Sequence, residues 1–98
     1  MSIRHAVREF ARLGPLPGSS ASEDIIANHQ IWLSRIEPPI SDDEAIVLVS
    51  CFGADDCYGL AWTLLHLIES APGGIPIAEQ PPNEGNEWIR RLWDRSHR

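Results

Sequence analysis

The sequence predicts an all-α protein, a single small domain of about five helices over residues 1–98, wrapped around a central buried helix near residues 56–70. Three observations lead there. Apolar residues recur at three and four positions in five separate segments, the period of a helix face. Capping residues or Pro/Gly pairs bound those segments, as helix ends require. The chain of 98 residues is 43% apolar and 22% charged, ordinary globular content with room for one core.

Ile3, Ala6, Val7, Phe10 and Ala11 form the first stripe, and Gly14-Pro15 ends it, which predicts a helix over about 3–13. Residues 13–20 are too rich in proline and glycine for a regular element. Ser20 with Glu23 reads as a capping box, and Ile25, His29, Trp32, Leu33 and Ile36 continue as a second helix that stops at Glu37, before Pro38-Pro39. Ser41 with Glu44 repeats the cap. The segment Ala45 to Phe52 is β-branched enough to be a short buried strand; the specific cap and the lack of a partner strand favour a helix.

The fourth helix, 56–70, anchors the prediction. Cys57, Leu60, Ala61, Leu64, Leu65, Leu67 and Ile68 make an arc too broad to face one neighbour. Leu60, Leu64, Leu65, Leu67 and Ile68 are expected to be its most buried residues, surrounded by Ile46, Val49, Phe52, Phe10, Trp32 and Ile36. Pro72-Gly73-Gly74 stops it, and 71–83 reads as loop. Trp88, Ile89, Leu92 and Trp93, flanked by arginines, give the fifth helix.

Composition excludes several function classes. The longest apolar stretch, Cys57 to Ile68, is too short for a membrane span, which needs roughly 20 residues. The first residues lack a signal peptide's apolar run, so a cytoplasmic protein is expected unless a partner or secretion apparatus carries it. Cys51 and Cys57 match neither a zinc knuckle nor a redox pair and read as buried thiols. The formal net charge of −6 is uneven: residues 1–13 carry +2 and 88–98 carry +3, whereas 23–58 carry −7. An acidic middle repels phosphates, so nucleic acid is disfavoured as a partner. Either the basic ends neutralise that middle within the fold, or it steers a basic partner.

Few residues suggest chemistry. The four histidines have no metal-binding spacing, so neither a metal nor another cofactor is expected. No nucleophile elbow or phosphate-cradling loop is present, and no catalytic residue is assigned. The rival is a small enzyme pairing His66 with a carboxylate beside a nucleophile in a deep pocket. Asp56, Gly59, Thr63, His66 and Ser70 would form one stripe on the fourth helix, with Tyr58 and Trp62 beside it. That stripe is either plain solvent-facing surface or a contact surface with aromatic anchors. Gly59 in mid-helix would reflect close packing.

The stretch from Pro39-Ile-Ser-Asp-Asp-Glu44 through Phe52-Gly-Ala-Asp-Asp-Cys-Tyr-Gly-Leu-Ala-Trp-Thr-Leu-Leu-His-Leu-Ile-Glu69, about a third of the chain, resembles the small acidic helical immunity proteins that bacteria pair with polymorphic or contact-dependent toxins. The resemblance implies a protein without enzymatic activity that binds and blocks a cognate toxin, and it transfers no residue by alignment; the acidic middle makes a basic toxin domain the expected partner. On charge and aromatic character, Asp42, Asp43, Glu44, Asp55 and Asp56 are the expected steering residues, Tyr58 and Trp62 the anchors, and His66 a marginal contact. A homo-oligomeric structural or regulatory protein is the second reading, signalled by an exposed apolar patch at Trp88 and Trp93.

Overall fold

Helix starts follow the side chains able to take up free backbone N–H groups. In the computed structural model, which describes residues 3–82 and 84–97, the helices are α1 (His5–Arg12), α2 (Glu23–Ser34), α3 (Asp42–Val49), α4 (Leu60–Glu69) and α5 (Glu87–Ser96). No strand occurs among the described residues. The Ser41 hydroxyl accepts from the Glu44 N–H at 3.1 Å, and Glu44 accepts from the Ser41 N–H at 2.9 Å, completing the expected capping box. The 45–52 segment is therefore helical through Val49. On α2 the cap is Ser22 rather than Ser20, accepting from the Ile25 N–H at 3.4 Å. Asn86 caps α5 by accepting from the N–H groups of Trp88 and Ile89.

Helix α4 packs against α2, α3 and α5, while α1 spans α2 and α3. It is the central helix, as its broad apolar arc requires. Leu64, Leu65 and Ile68 are fully buried, each worth about 1.5–3 kcal/mol against exposure. Val7 and Phe10 of α1, Leu33 and Ile36 around the end of α2, Leu48, Phe52 and Leu92 close around them. Both cysteines are free and buried. No helix is long and apolar enough to cross a membrane among the described residues.

Expectations about the start of the fourth helix and about the core need correction. Helix α4 begins at Leu60, because Cys57 and Tyr58 (φ 48° and 54°) and Gly59 (φ 91°) are left-handed and cannot continue a right-handed helix. Gly59 is thus the N-cap of α4 and not a mid-helix contact, and Asp56 lies in the preceding turn. Ile46 is 60% exposed, because Ala45 and Leu48, three apart, take the inward face of α3. Leu60 is half-buried at the rim of α4, and Trp32 and Val49 are also half-buried.

Candidate functional site

Loop 13–21 clasps the turn that leads into α4. The Leu16 N–H donates to the Cys51 carbonyl at 2.9 Å, and a Cβ on Gly53 would fall 2.0 Å from the Leu16 carbonyl oxygen. The Asp55 carboxylate accepts from the Ser19 N–H at 2.9 Å and from the Cys57 N–H at 2.8 Å. These backbone bonds hold its pKa below the usual carboxylate range. The Tyr58 hydroxyl donates to the Ser19 carbonyl at 3.0 Å, fixing a side chain that remains 72% exposed. From the other side, the Asn86 amide donates to the Gly53 carbonyl at 2.9 Å and brings the start of α5 alongside.

A groove of about 470 Å³ lies between this turn and α5, lined by Asp55, Asp56, Trp62, Glu87, Trp88 and Arg91 together with Ala54. Trp62 meets Trp88 edge to face, with centroids 5.1 Å apart and planes at 87°, a favourable aromatic geometry. The Arg91 guanidinium lies 4.9 Å from the Trp88 centroid and 5.5 Å from that of Trp62. It also donates twice to Glu87, at 2.9 and 2.6 Å. Trp88 is buried and Trp93 half-buried, so the two do not form the exposed apolar patch that would signal self-association.

Apart from His66, the expected site residues separate into three groups. Asp55, Asp56 and Trp62 line the groove, with Tyr58 on the same turn. Asp42 and Asp43 lie near the other end of α4, where Asp42 accepts from the Gly73 N–H at 2.7 Å and the Ser70 hydroxyl accepts from the Ile40 N–H at 3.1 Å. A helix of 10 residues spans roughly 15 Å, beyond the Debye length of about 8 Å at physiological salt. Glu44 is 2% exposed and is used inside the fold, accepting three hydrogen bonds from Arg4 and one from Ser41. Burial pushes its carboxyl up, but those donors and the Arg4 charge outweigh burial and hold it at about 2. Arg4 with Glu44 pairs one basic end of the chain with its acidic middle, and Arg95 with Glu69 ties the other basic end to α4. Asp42, Asp43, Asp55 and Asp56 make no ion pair among the described residues.

His66 stacks beside Trp62, and its Nδ1 is 3.2 Å from Glu69. Glu69 is held below the usual carboxylate range, chiefly by the Arg95 guanidinium at 2.7 Å. The imidazole borders an open, mainly apolar groove of about 360 Å³ between α2 and α4. Two hydroxyls line it, but Ser34 donates to the Ile31 carbonyl and Thr63 to that of Gly59. Neither hydroxyl is hydrogen-bonded to His66. Among the described residues no group of three His, Cys, Asp or Glu side chains could hold a metal ion.

No family model, curated protein or solved structure matches this chain. Any functional conclusion therefore rests on the groove. Sequence reasoning missed Glu87, Trp88 and Arg91 as part of it. The Glu87–Arg91 spacing of four was visible, but nothing in the sequence paired Trp88 with Trp62.

Proposed function

We propose that the protein is a binding module of the immunity type, which occludes a basic toxin domain with the acidic, aromatic-bearing surface at the N-terminal end of α4. The observation that supports this reading is the convergence of Asp55, Asp56, Trp62, Glu87 and Trp88 on one open groove next to exposed Tyr58. Carboxylates accelerate encounter with a basic partner, and rigid aromatics slow its departure. Asp42 and Asp43 are too far away to contact the same partner residues and contribute only weak, screened steering. Glu44 stabilises the fold and takes no part in binding.

The test is co-expression with the C-terminal domain of a large secreted protein encoded next to this one. The expected result is rescue of growth and a complex on gel filtration. Neutralising Asp55 and Asp56 should then slow association and weaken its salt dependence, whereas Trp62→Ala should mainly speed dissociation. Absence of both rescue and complex would end the immunity reading.

A further inference from the structure

The groove already holds one guanidinium. Arg91 shows how: its guanidinium carbon lies within 5.5 Å of both indole centroids while its N–H groups reach Glu87. That contact neutralises Glu87 alone. Asp55 and Asp56 bring two further negative charges to the same groove, and neither has a cationic partner among the described residues. They are not equivalent. Both Asp55 oxygens already accept backbone N–H groups, one each, whereas the exposed Asp56 carboxylate accepts no hydrogen bond among the described residues. Trp62, which lines the same groove, is 36% exposed.

We infer that the groove is a receptor for a second guanidinium, and that the partner anchors itself with an exposed arginine inserted between Asp56 and Trp62. The inference deepens the binding reading above and rests on it for the existence of a protein partner. Arginine fits better than lysine for a geometric reason. Its planar fork can donate to a carboxylate edge-on while its face lies against an indole, whereas an ammonium is a compact, strongly hydrated point charge. Arg91 opposes this little, because its charge is matched by Glu87 at 2.6 Å.

Calorimetric titration of the folded chain with a short Gly/Ser peptide carrying two arginines, and with its lysine twin, tests the inference. Saturable binding is expected for the arginine peptide, about fivefold tighter than for lysine. Asp56→Asn should weaken arginine binding, and Trp62→Ala should abolish the preference for arginine over lysine. Asp56 is exposed and outside the helices, so its variant keeps the fold even if loss of Trp62 loosens packing around Trp88; circular dichroism checks both. Equal affinity for the two peptides, no saturable binding, or an Asp56→Asn variant that binds arginine unchanged would each overturn the inference. Growth rescue by this chain on co-expression with the toxin domain, together with failed peptide binding, would remove the arginine anchor and leave the occlusion reading in place.

Discussion

Replacing Glu44 with Gln removes one charge from the interior while keeping the side chain's shape. The native carboxylate accepts Arg4 N–H, Arg4 Nε, Arg4 Nη2 and Ser41 N–H, all at 2.9–3.1 Å. With a folded pKa of about 2 against an ordinary 4.5, ionisation contributes about 3 kcal/mol at neutral pH. Because the folded value is depressed, that contribution is complete well above 4.5 and is lost as the pH falls through 2. A glutamine resembles the protonated carboxyl and cannot regain the loss. Urea unfolding followed by tryptophan fluorescence should therefore find Glu44→Gln about 3 kcal/mol less stable at pH 7, with the gap narrowing to roughly half of that at pH 3. A difference under about 0.5 kcal/mol at pH 7, or one that stays constant with pH, would show that Arg4 does not hold the carboxylate as described.

Leu64→Ala should cost about 2–5 kcal/mol in the same unfolding measurement, because the side chain is fully enclosed at the centre of α4. Gly59→Ala tests the start of that helix by sign: at φ 91° it should destabilise by about 1–2 kcal/mol, although nothing lies within 4 Å of the added Cβ. In a helix interior the same change would stabilise by about 1 kcal/mol. Asp55→Asn should speed hydrogen exchange at the Ser19 and Cys57 amides. In the native protein their protection should persist at pH values above 3.8 and fall only below it, since the folded carboxyl titrates below its ordinary value.

The helices were legible because their signals are local. Ser41 and Glu44 specify their cap within four residues, and the apolar arc of 60–68 identifies a helix with several neighbours whatever those neighbours are. The start of α4 was not legible. Cys57, Tyr58 and Gly59 carry helical spacing, yet they are left-handed in a turn bonded locally through Asp55 and clasped by residues 16–19. The acidic residues show the same division. Asp55 and Glu44 look alike in sequence, yet a partner 36 residues away fixes one in an exposed turn and a partner 40 residues away takes the other into the interior. The tryptophan pair depends on α5 docking beside Gly53 through Asn86, a contact with no sequence period to announce it.

Each hydrogen bond of the clasp around residues 51–58 has a main-chain group on at least one side, and the side chains that complete them come from Asp55, Tyr58 and Asn86 alone. Main-chain groups are the same whatever side chain they carry, so the tether places few demands on residue type at its outward positions. Ser20, Ala54 and Asp56 point to solvent there and can be exchanged without loosening it. Ala54 and Asp56 also line the groove, so its chemistry can be rewritten separately from the architecture beneath it, and a library randomised at these two positions should yield folded proteins that differ in what they hold.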